Sequence, residues 1–435
     1  MTKNLLNRRR FLGFTGGAAV SAGLAACTGT GSTDSGSTTG GSGTGSKELR
    51  LFTYEDNSTI DLLRAQVKAF DAKNGTTTTV DSLPGSGAAV YPDKLRTELL
   101  GGKGPDVWRI WGGQIGAPFV KAKQTMDLGK YYQKYGWDSK LNSAAIEGMT
   151  FDGVKGGMPF VGLGIGCWYS KTAFAKAGIT APPESYAELE EANAELLKSG
   201  ITPLATGGKY GWHVMRLFEY LLETSAGPDL HDKLLIGAES WDRPEVVTAF
   251  TNFKKWQDQK WLPDGVVGLD PTEVELWYVQ GKAAYTITGP WTEAQAIQAG
   301  GKKAADYASF QLPTDQNPAR HSGFVEGYMI NAKAGNPDMA AALLDFLITP
   351  EAQKAMKITA SVVAGAEPDK AALPLSYEWS QGSGKQPFFT IQDQAFPKKQ
   401  ADQYFAIQSD VLQGKDSPAD AAKKMQDVIK AWAKS

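Results

Sequence analysis

Five short stretches carry an aromatic ring, four of them beside a carboxylate, an amide or an imidazole. TYEDN brings Tyr54, Glu55 and Asp56; WGGQ brings Trp111 and Gln114; YGWH brings Tyr210, Trp212 and His213. TGPW brings Trp291, and GFVEG brings Phe324 and Glu326. A flat ring covers an apolar C–H face, while carboxylates and amides accept from and donate to hydroxyls at its rim. That combination suits a sugar. Glu55 with Glu326 could alternatively flank a glycosidic bond as a hydrolytic pair. Against both stands a plainer reading, because a tryptophan in a chain with 12 of them is commonly core. Glu55 and Asp56 could equally be acids favoured at a helix N-terminus. Glu326, inside an apolar strand end, calls for a partner.

Other chemistry finds little support. The sequence has no P-loop, no HExxH and no G-x-S-x-G, and GLGIG (Gly162–Gly166) is a broken glycine pattern. His213, His231 and His321 show no metal-ligand spacing, so neither metal nor cofactor is expected.

The elements that must position these residues alternate. Glu48–Tyr54 reads as a strand, Asn57–Gly75 as a helix with Leu63, Val67 and Phe70 on one face, and Thr76–Leu83 as a strand. Leu95–Leu100 reads as helix and Asp106–Trp111 as strand, the rhythm of a mainly parallel, doubly wound sheet. The run from Met158 to Ile179 reads as an apolar strand followed by a helix, with Cys167 a buried thiol. Ser185–Glu188 is a capping box. Pro244–Gln257 and Thr272–Gln280 read as helices, the latter leading into the strand KAAYTITG. GFVEGYMIN reads as a last strand; Asn336-Pro337 and Ser417-Pro418 open later helices. The class is α/β, and ligands of such sheets sit beyond the carboxyl ends of strands.

The N-terminus has its own logic. Arg8, Arg9 and Arg10 precede an apolar run from Phe11 to Ala26, 16 residues with four glycines, too short for a bilayer span. A basic head, an apolar middle and small residues make a secretion signal, residues 1–26, of twin-arginine type. Leu24-Ala25-Ala26-Cys27 resembles a lipobox, which makes Cys27 the lipid anchor. Residues 27–46 follow as a Gly/Ser/Thr tether with a reach of roughly 25 Å. Losing a leader with Lys3, three arginines and no acid moves the formal charge from −2 to −6. That balance argues against a nucleic-acid partner. The remaining body, near 390 residues, favours two domains.

GKGPDVWRIW, MPFVGLGIGCWYSKTAFAKAGITAPPESYAELEEA, GKAAYTITGPW and LLDFLITPEAQKAM stand in an order and spacing that carry a likeness. The chain resembles the extracellular solute-binding proteins of carbohydrate ABC transporters, the group that includes maltose-binding protein. The resemblance covers nearly everything after residue 47. It implies a two-lobed periplasmic-binding-protein-like fold of type II, a monomer, and a sugar clamped between lobes. It also implies three crossings, placed near Met158–Val161, Gln311–Thr314 and Ala360–Ala364. The lobes are then 47–158 with 314–360, and 159–313 with 361–435. Family sites map onto Tyr54, Glu55, Asp56, Trp111, Gln114, Trp212 and Trp291, with Tyr404 or Phe405 as a C-terminal aromatic. Maltose-type members carry an acid where Leu163 stands here, which speaks against maltose. The resulting expectation is a lipid-anchored receptor on the outer face of the cytoplasmic membrane, delivering a sugar to a permease. The rivals are an anchored glycoside hydrolase and a same-fold receptor for another solute.

Cys27→Ser tests the anchor. The variant should be released as soluble protein or persist as uncleaved precursor, with the ligand affinity of the purified body unchanged. Labelled lipid appearing on the variant would overturn the lipobox.

Overall fold

A computed structural model describes residues 46–55, 59–83, 90–299 and 304–432. The leader, Cys27, the tether up to residue 45 and Asp56 lie outside the described residues. Twelve strands are described. They are β1 (Glu48–Thr53), β2 (Thr77–Ser82), β3 (Val107–Trp111), β4 (Thr150–Phe151), β5 (Val154–Lys155) and β6 (Met158–Gly164). After them come β7 (Gly166–Ser170), β8 (Thr202–Ala205), β9 (Ala283–Thr288), β10 (Tyr307–Phe310), β11 (His321–Ile330) and β12 (Phe388–Thr390).

Ten of them build two sheets, while β4 and β5 pair as a small hairpin. The six-stranded sheet runs β12-β11-β3-β1-β2, with β6 on the other side of β11. The four-stranded sheet runs β10-β7-β9-β8. The parallel pairing expected from the sequence holds for β1 with β2 and β3, for β8 with β9, and for β11 with β12. The remaining ladders are antiparallel, so both sheets are mixed. In the large sheet the cause is β11, which runs against β3 and β6; in the small sheet it is β7, which runs against β9 and β10. Every residue of β11 is buried, as a strand covered on both faces must be.

The strand-and-helix reading of Met158–Ile179 needs correction. It holds two strands in different sheets, broken at Ile165: β6 pairs with β11 up to Gly164, and β7 starts pairing with β9 at Gly166. The first passage between sheets therefore sits a few residues beyond Met158–Val161. The second runs through 311–320, between β10 and β11. Past Ala364 the chain moves more than once. Helix Pro374–Gln381 packs Leu375 and Trp379 with Trp168, Tyr278 and Tyr307 on the small-sheet side. Then β12 returns to the large sheet before helix Lys398–Leu412 packs against the Pro418–Trp432 helix. Residues 361–435 thus serve both sheets.

The helix expected at Thr272–Gln280 shortens to Pro271–Val274 and gives way to turns from Glu275. Helix Ile60–Asn74 buries Leu63, Val67 and Phe70, and helix Pro244–Asp258 buries Val246, Phe250 and Phe253. Each such side chain contributes about 1.5–3 kcal/mol on burial. Cys167 is fully buried, and burial pushes its thiol well above the ordinary range. It is a structural thiol.

A bulge in β6, at Phe160, lies opposite Glu326 and Gly327 of β11. Against β6, Glu326 pairs with Val161 while Gly327 pairs with Pro159, skipping Phe160. A Cβ at Gly327 would lie 2.4 Å from the Met158 carbonyl oxygen, so only glycine allows this approach. Bulges re-aim side chains of the bulged strand, here Phe160, whose ring centre lies 5.5 Å from the Arg109 guanidinium carbon.

Candidate functional site

Along β3, Arg109 and Trp111 are two residues apart and share a face. In the β3–β11 ladder Trp111 stands opposite Glu326, which puts Glu326 diagonal to Arg109. The Arg109 guanidinium donates from Nη2 to Glu326 Oε2 at 2.5 Å and pairs through Nη1 with Glu55, which follows β1. Thr59 Oγ1 donates to the other oxygen of Glu55 at 2.5 Å. All three charges are nearly buried, with side-chain exposures of 10% for Arg109, 13% for Glu55 and 7% for Glu326. Burial alone would lower the guanidinium pKa; the Glu326 charge more than offsets that and raises it. Arg109 is therefore a permanent cation.

This triad carries an aromatic layer. Tyr54 stacks on Trp111, ring centres 4.0 Å apart and planes within 10°, and Arg109 sits 5.3 Å from the Tyr54 ring centre. Burial, reinforced by Glu326, pushes the Tyr54 hydroxyl well above its ordinary pKa.

The opposite wall repeats the scheme on the small sheet. Helix Trp212–Ala226 puts Arg216 one turn after Trp212, and helix Trp291–Gln298 begins directly after β9. The Arg216 guanidinium carbon lies 4.5 Å from the Trp212 ring centre and 5.1 Å from that of Trp291. Its Nη1 donates to the Ile287 carbonyl at 3.2 Å and to Thr288 Oγ1 and Glu275 Oε1 at 3.4 Å. Thr288 in turn donates to Glu275. Burial lowers the Arg216 pKa, against the pull of Glu275 and Asp393. Trp291 also meets Phe324, ring centres 5.9 Å apart.

Between these walls lies a cleft of about 830 Å³. It is lined by Tyr54, Glu55, Trp111, Gln114, Trp212, Trp291, Phe324 and Glu326, which are all the expected residues except two. Asp56 lies outside the described residues. His213 is a correction: it is 1% exposed and turned inward, with Nε2 3.4 Å from Thr286 Oγ1. Neighbours on a helix cannot share a face, so with Trp212 toward the cleft His213 points to the core. Burial, with Arg216 adding to it, holds its pKa well below the ordinary value. Phe405 and Tyr210 line the cleft as well, whereas Tyr404 is fully buried.

Sequence reasoning missed Arg109, Arg216, Glu275 and Asp393, all of which line the cleft. A signal existed for Arg109. A cation in the middle of VWRIW is as anomalous as an acid in GFVEG, and each calls for a partner of opposite charge. Chemically the arrangement offers two aromatic surfaces, fixed carboxylates and two guanidiniums, which is equipment for holding a hydroxylated ring. Among the described residues no group of three or more His, Cys, Asp or Glu could hold a metal.

A family model described as bacterial extracellular solute-binding protein matches residues 56–354. An ABC transporter extracellular-binding protein of Pyrococcus horikoshii, itself uncharacterised, is 27% identical over 296 residues. That alignment covers 67% of this chain and 64% of the relative, a little under two thirds of its length. The galactooligosaccharide-binding protein of Bacillus subtilis is 25% identical over 340 residues, 78% of this chain and 76% of that one. Among solved structures, a chitin oligosaccharide binding protein superposes with a TM-score of 0.80 at 24% identity, covering 90% of this chain and 100% of the other. The two-sheet architecture is thus the two-lobed fold of solute-binding proteins, type II.

Removing the shared cation should expose its role. Arg109→Met leaves two facing carboxylates without a counter-charge and should cost about 3–5 kcal/mol of stability at pH 7. Protonation relieves that strain, so the variant should recover part of the loss at pH 5. Denaturant unfolding at both pH values checks this; an equal loss at each would mean that the charge pairing is not what Arg109 contributes.

Proposed function

The chain belongs to the bacterial extracellular solute-binding protein family, and from that premise we propose that it captures a sugar or short oligosaccharide outside the cell and passes it to an ABC transporter permease. The observation that carries this reading is the pair of aromatic walls, Tyr54–Trp111 and Trp212–Trp291, each braced by a buried arginine. A pyranose offers C–H faces to such rings and hydroxyls to the carboxylates beside them. A cleft of about 830 Å³ lies in the upper range of small-molecule sites. We place one lobe on each sheet and let ligand favour the closed state through contacts made only there. The protein acts as a monomer, tethered through lipidated Cys27 to the outer face of the cytoplasmic membrane after twin-arginine export.

The geometry of the two carboxylates disfavours hydrolysis. Glu55 and Glu326 are both held by one guanidinium, so the two carboxylates are tied to a shared partner on one wall rather than set on either side of a scissile bond. The work is binding, and the sugar leaves intact.

Oligosaccharides of galactose and of chitin, named for two of the relatives, are the first to try. Calorimetric titration with galactotriose and chitotriose should give one site for at least one of them, and the sugar should be recovered uncut. Trp291→Ala should then weaken binding roughly 30- to 150-fold, about 2–3 kcal/mol, with little change in the apo melting temperature. A sharp drop in melting temperature with normal affinity of the folded fraction would make Trp291 core instead.

A further inference from the structure

Gln392–Ala395 is a single helical turn between β12 and the Lys398–Leu412 helix, and it is fastened to both walls of the cleft. On one side the Gln394 carbonyl oxygen would lie 2.4 Å from a Cβ on Gly113, whose φ is +56°; glycine permits the contact. On the other, the Gln392 amide N–H donates to Glu219 Oε2 at 3.2 Å, and the Gln392 side chain meets His231 Nε2 at 2.9 Å and the Tyr404 hydroxyl. Asp393 follows Gln392 on this strap and lines the cleft, with Oδ1 buried and unpartnered. Arg216, also lining the cleft, keeps a buried Nε without a partner although its Nη1 is fully engaged. Each feels the other's charge, yet Asp393 holds no direct bond to the guanidinium. Both residues line the same cleft, from two elements, and each keeps a polar atom without a partner.

We propose that Arg216 and Asp393 together read one free hydroxyl of the ring that rests on Trp291, the hydroxyl oxygen accepting from the guanidinium and its proton donated to the carboxylate. The inference rests on the sugar reading above and deepens it. The ligand ring is neutral at that position, because a uronate would meet the Asp393 charge and a methyl ether would have no proton to give. A site built on such a pair rejects an analogue lacking the hydroxyl by leaving both groups unsatisfied.

The arrangement makes binding sensitive to acid. Burial pushes the Asp393 carboxyl up to about 6, opposed by Arg216. The other groups around it are Glu219 on the Trp212–Ala226 helix, and Lys398, Asp402 and Tyr404 on the Lys398–Leu412 helix; the Gly113–Lys121 helix turns Gln114 to the cleft. Burial pushes Glu219 up to about 8 and Tyr404 well above its ordinary value, so both stay neutral near pH 6. Lys398 and Asp402 pair with each other at 2.8 Å. Asp393 is thus the group of this set that changes charge there. Its folded pKa exceeds the unfolded one, so its ionisation weakens the apo fold as pH rises through 6, while the same ionisation is what the ligand hydroxyl requires.

The test titrates wild type and Asp393→Asn with galactotriose and chitotriose between pH 5 and 8, alongside apo melting curves. For the sugar that binds, wild-type affinity should fall about tenfold from pH 7 to pH 5, following the ionised fraction. Asp393→Asn should bind more weakly at pH 7, show a flat profile, and melt higher than wild type at pH 8. A flat wild-type profile, or the same fall persisting in Asp393→Asn, overturns this inference while leaving the receptor reading intact. Failure of both sugars to bind at pH 7 overturns the sugar reading and this inference with it.

Discussion

A guanidinium removed from water must be matched by charge, and in this protein that requirement organises one wall of the cleft. Arg109 lies on β3, Glu55 follows β1 and Glu326 sits on β11, so one cation ties the mouth of β1 to two central strands of the large sheet. The pairing also fixes the surface above it. Tyr54 is the residue before Glu55, and Trp111 is directly across from Glu326 in the ladder; anchoring the acids therefore anchors the stacked rings. A ring held this way loses little freedom when a ligand rests on it, which favours binding by pre-organisation.

The same solution appears on the small sheet with different parts. Arg216 is gripped by Glu275, Thr288 and the end of β9, and it spaces two indoles that come from separate helices. Neither wall borrows its brace from the other, and the strap that carries Asp393 touches both. Two separately stiffened surfaces joined by short passages at Ile165 and at 311–320 suit a clamp whose faces move without deforming.

Much of this was legible in the sequence where the physics is local. Ser185 Oγ accepts from the Glu188 amide at 3.2 Å, Asn336 Oδ1 from Met339 at 3.1 Å and Ser417 Oγ from Asp420 at 3.1 Å, and each opens its helix where the capping signal stands. Tyr54 and Trp291 line the cleft because they follow the ends of β1 and β9, and Trp111 closes β3, positions readable from punctuation alone; Phe324 sits near the start of β11 instead. What depends on distant partners was not legible. Arg109 and Glu326 are 217 residues apart, so neither reveals its counterpart. Ile165 lies inside an unbroken apolar run; only the pairing of β6 with β11 and of β7 with β9 shows that the sheet changes there. Asp393 in IQDQAF follows no periodicity, and its meaning arises from the strap. His213 was misplaced for a local reason, since its neighbour Trp212 takes the cleft-facing position.

If two braced walls come together on a sugar ring, the whole molecule contracts when the sugar binds. Small-angle X-ray scattering of the purified body, with and without a saturating amount of a sugar whose binding calorimetry has established, addresses it most directly. A clamp gives a smaller radius of gyration in the saturated protein, at unchanged molecular mass. A scattering curve identical in the two states would contradict it, leaving a rigid site in place of a clamp.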